Sequence, residues 1–372
     1  MEAQATAHLK YLSYDPPVSS RAALLQLADY AGDRPMDRYG MGITEELETK
    51  LCDMLGMDAA VYMPAGKTAQ NIAFKLWARR IGCDRIAVHP RSHVEEWEEK
   101  AYSQVFGLSS VALGPWDRQV KAADLDSLRE PVAVAAVEIA LRPLGCVVVE
   151  WDELCELSRK ARKRGIPFHG DGARIWESQA HYKRPLRDIA ALFDSIYVSL
   201  YKGIGGLAGA ALLGSRDFIN EARVWQQRLG QKQYRQFPYV LAALQGIEKR
   251  LPRMEEFRAV AQRMAKAIRV LDNVMVSPQT PHTNAFLVAL PGDPEKLLAA
   301  RDRVASKTGL WLFDSARPSF YEGQCLFEVH VGVAATQLAD AEVVRAIALL
   351  RDSIGMRSTA AADHQAREAA RQ

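Results

Sequence analysis

Between Ala59 and Ser215 the chain repeats one pattern: an apolar, β-branched run of strand length, then helical periodicity, then another apolar run. "AAVYMPAG" reads as a short strand entering a glycine turn, and "KTAQNIAFKLWARRI" as the helix that follows. "RIAVHP", "SVALG", "VAVAAVEI", "IPFHGDGA" and "SIYVSLY" are further strands, with helical patterns such as "WDELCELSRKARKRG" between several of them. Alternation of this kind predicts an α/β domain with a mostly parallel sheet.

The flanking regions have a different texture. Residues 1–40 carry the turn formers of "SYDPPVSS" and "AGDRPMDRYG", with a short helical stretch, "RAALLQLADY", between them. "ITEELETKLCDMLGM" then predicts a helix capped by Thr44, with Glu45 and Glu46 in its first turn and Gly56 closing it. Beyond about residue 216 come amphipathic helices, among them "MEEFRAVAQRMAKAIRVLDN", which places Phe257, Val260, Met264, Ile268 and Leu271 on one face. The strands "VMVS", "NAFLVAL" and "LFEVHVGV", with a helix among them, suit a smaller α+β domain. The expected organisation is an N-terminal segment (1–40), a large domain (41–250), a small C-terminal domain (251–355) and a polar, alanine-rich flexible tail (356–372).

Composition narrows the class. With 372 residues, 48% hydrophobic and 25% charged, the chain can build a core without disulfide or metal staples. A net charge of +3 with no long basic run gives nucleic-acid binding no support. The five cysteines are widely spaced, odd in number and form no C-x-x-C, as expected in a reducing compartment. "MEAQATAHLK" has neither a basic n-region nor an apolar h-region, and no apolar run approaches the roughly 20 residues that span a bilayer. The expectation is a cytoplasmic globular protein with no nucleic-acid or membrane partner.

The chemistry centres on Lys202, set between two apolar strands in "DSIYVSLYKGIGGLAGAALLGS". A buried ammonium without a partner costs several kcal/mol, so this lysine is either solvated at a strand end or chemically special. "PAGKT" fails as a P-loop because position 61 is Val61 rather than glycine. A glycine turn opening a helix still offers N–H groups to an anion, and Gly66, Lys67 and Thr68 supply the turn, a charge and a hydroxyl; an ordinary strand–turn–helix is the alternative. "GIGGLA" matches a dinucleotide fingerprint by letter, but a strand follows it rather than a helix. His89 and His93 stand at i, i+4, yet Pro90 lies between them and no third ligand is evident, so no metal is expected. In "PFHGDGARIW" a strand ends at Asp171, where α/β proteins open their ligand crevice, with Arg174 three residues on; a local Asp171–Arg174 ion pair is the alternative. Jointly these pieces form a kit for pyridoxal 5′-phosphate. A lysine condenses with the aldehyde, an acid pairs with the protonated pyridine nitrogen, and a helix N-terminus holds the phosphate.

From about Asp37 to Arg235 the chain resembles the threonine aldolase/β-eliminating lyase family of fold-type I pyridoxal phosphate enzymes. The resemblance rests on "DRYGMGITEELETKLCDMLGMDAAVYMPAGKTAQNIA", "RSHVEEWE", "IPFHGDGARIWES" and "FDSIYVSLYKGIGGLAGAALLGSRDFI". It implies the fold-type I transferase-like fold: a large domain with a mostly parallel seven-stranded sheet and a smaller α+β C-terminal domain. It implies Lys202 as the Schiff-base lysine, Asp171 as the pyridine-nitrogen partner, and His93 as the ring-stacking histidine. Gly66, Lys67 and Thr68 become the phosphate turn, Arg174 the substrate-carboxylate ligand, and Arg235 a residue reaching a neighbouring subunit's site. Lys202, His93 and Asp171 are thus the expected catalytic residues, working in a homodimer or homotetramer on a small amino acid.

The substrate side departs from the family. Its R-S-D-T element is not recognisable near "LSYDPP", its E-N-T-H-N stretch is "EIALR" here with only Glu138 retained, and the serine before the lysine is Tyr201. A second carboxylate-binding arginine is replaced by Leu326. His169 or His330 could join His93 as a base, and Trp97, Trp176 or Tyr201 could line a side-chain pocket. The expected reaction is cleavage of the Cα–Cβ bond of a β-hydroxy-α-amino acid to glycine and an aldehyde. β-Elimination or other Cα chemistry is the alternative.

Overall fold

The apolar runs between Ala59 and Gly214 assemble into one seven-stranded sheet of the computed structural model, which describes residues 9–354. The strands are β1 (Ala59–Met63), β2 (Arg85–Val88), β3 (Ser109–Ala112), β4 (Val134–Glu138), β5 (Phe168–Gly172), β6 (Ser195–Ser199) and β7 (Ala210–Gly214), in the order β1-β7-β6-β5-β4-β2-β3. Every residue of β4 to β7 is buried, the result of covering both faces of a sheet, so these strands read as continuous apolar runs. Strands β2 to β6 pair in parallel, whereas β7 is antiparallel to both β6 and β1. The reason is the link: residues 200–209 between β6 and β7 carry no helix, and a parallel return needs a crossover of a dozen residues or more.

This sheet belongs to a unit of residues 18–254. Helices α1 (Ser20–Ala31) and α2 (Ile43–Leu55) precede β1, and α3 (Gly66–Ile81) follows it directly. The expectation that Thr44 caps α2 is corrected: the cap is Gly42, and Thr44 is buried inside the first turn. Glu45 satisfies the exposed amide instead, its carboxylate accepting from Gly42 N–H at 3.0 Å. Gly56 closes α2 in the left-handed conformation, as its position predicts. Helix α3 buries Ala69, Ile72, Ala73 and Leu76 against Val61, Met63 and Leu212 of the sheet, so its first turn is anchored at the sheet's edge. After β4 come α4 (Trp151–Lys163), α5 (Ile175–Tyr182), α6 (Arg216–Arg228) and α7 (Phe237–Lys249).

The second unit combines residues 9–17 with 255–354. It holds α8 (Met254–Ile268), α9 (Pro294–Thr308) and α10 (Asp340–Ser353). Its antiparallel four-stranded sheet comprises β8 (Met275–Ser277), β9 (Ala285–Pro291), β10 (Ala316–Pro318) and β11 (Gln324–His330), ordered β8-β9-β11-β10. On α8, Phe257, Met264 and Ile268 are buried, but Val260 is half-buried and Leu271 falls beyond the helix end. The stretch 356–372, read as a tail, lies outside the described residues. Among the described residues no helix is long and apolar enough to cross a membrane.

Candidate active site

Parallel pairing sets Asp171 between Glu138 on β4 and Tyr197 on β6; Glu138 ends its strand, Asp171 lies one residue before the end of β5, and Tyr197 lies at the middle of β6. Residues beyond those ends meet around a cavity of about 360 Å³ lined by Gly66, Lys67, His93, Asp171, Tyr197 and Lys202, with Glu98 and Tyr201 on its walls. One crevice therefore gathers residues from β5, β6, the start of α3 and two loops.

Gly66 opens α3 without a side-chain cap, so the first-turn amides have no partner within the helix and none from a capping side chain. Only glycine fits there: a Cβ would lie 2.9 Å from two carbons of the Tyr197 ring. Lys67 is exposed and its ammonium donates to the Trp97 carbonyl at 2.9 Å. Thr68 is half-buried one residue on and is not part of the cavity lining. A long helix presenting unsatisfied N–H groups to a cavity is an anion site in waiting.

Lys202 follows β6 and projects into the cavity, where among the described residues it makes no ion pair. Burial, and then the Arg174 guanidinium, push its ammonium below the ordinary lysine range; Asp171, Glu138 and Glu177 pull the other way. The glycines after it serve packing. A Cβ on Gly203 would lie 2.6 and 2.7 Å from the two carboxyl oxygens of Glu177. Gly205, at φ +70°, lies against the Arg250 side chain, where a Cβ would meet Nε at 2.9 Å. This explains "GIGG" without a nucleotide, and β7 rather than a helix follows it.

Asp171 is buried and accepts the Ala173 N–H at 3.0 Å, and it forms no ion pair among the described residues, so the local Asp171–Arg174 pairing does not form. Glu138 accepts from the backbone N–H groups of His93 at 3.0 Å and Arg142 at 3.1 Å. Burial and the neighbouring Asp171 raise its pKa. His93 lines the cavity with its Nδ1 2.8 Å from the buried Glu98 carboxylate, which also accepts from Asn71 Nδ2 at 3.1 Å. Sequence reasoning missed Glu98, Tyr197 and Glu177. Glu98 falls within "RSHVEEWE", but a five-residue spacing after a histidine carries no recognisable signal before the turn is folded.

Other expected residues separate from the cavity. Arg174 is buried at the start of α5 and outside the lining, although its charge reaches Lys202, Glu177 and Tyr201. Arg235 is half-buried, stacked 4.6 Å over Tyr234 and donating to the Asp37 carbonyl, away from the lining. Trp176 is fully buried, its indole donating to the Ser199 carbonyl at 2.7 Å, so it is core and no pocket wall. His169 is fully buried beneath Asp171 on the same strand, Nδ1 2.8 Å from Ser195 Oγ, with burial pushing its pKa down to about 4. His330 belongs to the other unit, beside Glu328. His89 has both ring nitrogens engaged, by Arg91 N–H at 3.1 Å and the Arg118 carbonyl at 2.9 Å.

The arrangement can hold an anion at α3, bind a carbonyl carbon through an amine that burial depresses, and place a carboxylate opposite. The family model described as beta-eliminating lyase matches residues 23–291. A solved structure from Listeria monocytogenes EGD-E, assigned as an L-allo-threonine aldolase, superposes with a TM-score of 0.88 at 32% identity, covering 94% of this chain and 98% of that one. One from Exiguobacterium sp. 255-15, assigned as an aromatic amino acid beta-eliminating lyase/threonine aldolase, gives 0.88 at 31% over 94% and 99%. The low specificity L-threonine aldolase of Escherichia coli strain K12 is 27% identical over 271 residues, 67% of this chain and 76% of that one.

Proposed function

This chain belongs to the beta-eliminating lyase family, and on that basis we propose that it is a pyridoxal phosphate-dependent lyase cleaving the Cα–Cβ bond of β-hydroxy-α-amino acids to glycine and an aldehyde. The observation that carries the reading is Lys202: a cavity-facing amine that has no ion-pair partner among the described residues and shares the cavity with a helix N-terminus and a buried carboxylate. The residues present fit the cofactor. Gly66, Lys67 and Thr68 with the open first turn of α3 would hold its phosphate, Asp171 its ring nitrogen, His93 the ring face, and Lys202 its aldehyde carbon. When bound, pyridoxal phosphate supplies that aldehyde and a ring that accepts the electron pair released at Cα.

The chain's own groups then divide the work. Burial and Arg174 keep a fraction of Lys202 in the neutral, nucleophilic form. Asp171, buried and bonded through Ala173 N–H, is held with its carboxyl facing the cavity. Glu98 orients His93 so that Nδ1 carries the proton and Nε2 is the acceptor for the substrate's β-hydroxyl proton. Arg174, outside the cavity lining at the start of α5, would have to turn its guanidinium into the cavity to bind the substrate carboxylate. Tyr201, 46% exposed on the cavity wall, would contact the substrate side chain. The free thiols fit a reducing compartment, so we place the enzyme in the cytoplasm as a homodimer or homotetramer, with Arg235 directed to the neighbouring subunit. The test of cofactor attachment is borohydride reduction of the coloured protein followed by peptide mapping: label on Lys202 supports the reading, and label on Lys67 or Lys75 refutes it.

A further inference from the structure

Glu177 is a buried carboxyl for which the fold alone gives no use. It lies in the first turn of α5, only 3% exposed, with its Oε2 buried and without a hydrogen-bond partner. Its carboxyl is pressed against Gly203, the residue after Lys202. Two cations face it: Arg174, one turn earlier on the same helix, and Lys202. A buried acceptor left unpaired is costly, more so when charged, which calls for a state in which it is paired.

Lys202 supplies that state. While its nitrogen is bonded to a cofactor carbon, it is directed into the cavity. When a substrate amine takes over that bond, the C–N bond to Lys202 breaks and its nitrogen leaves as a primary amine, taking up a proton the incoming ammonium has lost. That ammonium then needs an acceptor within reach of its own Cα, and the groups that face it are Arg174, Asp171, Glu138 and Glu177. Arg174 repels it, Asp171 is committed to the ring, and both Glu138 oxygens already accept backbone N–H groups. We propose that Glu177 is the positioning residue for released Lys202: its unpartnered carboxyl oxygen receives the lysine ammonium whenever an amino acid displaces the lysine from the cofactor.

The inference rests on the proposed role of Lys202 and is tested with glycine against acetate, which differ by the amine alone. Only glycine can displace the lysine, whereas both present a carboxylate. In holoenzyme carrying Glu177→Gln the side chain keeps its size and one oxygen, but an NH₂ group replaces the second acceptor. The dissociation constant for glycine, read from the visible band, should rise by about tenfold or more, while acetate competes as it does in wild type. Equal weakening of both ligands, the mark of a merely structural role, overturns the proposal, as does unchanged glycine binding. A wild-type visible band that ignores glycine overturns the cofactor reading of the site, and this inference with it.

Discussion

The Nδ1 atom of half-buried His93 lies 2.8 Å from the buried Glu98 carboxylate, which also accepts from Asn71 Nδ2. A carboxylate in that place selects the imidazole tautomer and its orientation in the cavity. Glu98→Gln should lower kcat by about ten- to a hundredfold with little change in cofactor occupancy, because a positioned base contributes roughly that much or more. Rate profiles against pH for the variant and wild type check this. An unchanged profile with unchanged kcat would separate Glu98 from the chemistry.

Asp171→Ala removes the one carboxylate that lines the cavity from β5. Turnover should fall by about three orders of magnitude, several kcal/mol at the transition state, while the phosphate turn and Lys202 keep the cofactor bound. Parallel measurement of kcat and bound cofactor decides it. Near-normal turnover removes Asp171 from the mechanism.

The part of this site proposed to hold the cofactor is readable in the sequence because it lies in short, ordered motifs. Lys202 follows a strand, Asp171 ends another, and Gly66 opens a helix, so strand ends alone place them on one side of the sheet. Residues that support them from elsewhere were not legible. Glu177 acts on Gly203 across a helix–loop contact, and Tyr197 enforces glycine at position 66 from the middle of a strand that reads simply as apolar. Trp176 lies two residues after Arg174 in sequence, yet it is rotated into the core. Thr44 fails as a cap because Gly42 and Glu45 start the helix two residues earlier.

Gly66→Ala drives a methyl group into the Tyr197 ring, 2.9 Å from two of its carbons. The start of α3 must shift, which should lower stability by about 1–3 kcal/mol and weaken cofactor retention further. Melting temperature and cofactor content after dialysis report the two effects. A Tyr197→Leu background, which clears the ring, should restore part of the loss; no restoration would mean that the contact is not the cause.

His169 gives acid sensitivity a defined sign. Its folded pKa is pushed down to about 4 by burial, against about 6.5 in an unfolded chain, so between those values the unfolded state binds more protons. Stability from this group is complete above pH ~6.5 and lost as pH falls to ~4, a total of about 3 kcal/mol. Glu138 and Glu177, raised by burial, act in the opposite direction, losing their contribution as pH rises. Denaturant melts of wild type and His169→Gln from pH 7 to 4 isolate the histidine: the variant's acid decline should be shallower, whatever its constant offset. Parallel declines would show that His169 is not the titrating group.

The most direct test of the account is product identity. Purified holoenzyme should be incubated with L-threonine, L-allo-threonine and bulkier β-hydroxy-α-amino acids, with glycine, aldehyde, pyruvate and ammonia all quantified. The account predicts glycine and aldehyde in equal amounts, weak from threonine and greater from larger side chains that reach Tyr201, and none from Lys202→Ala. Pyruvate and ammonia from serine or cysteine, with no glycine or aldehyde from any β-hydroxy substrate, would contradict it.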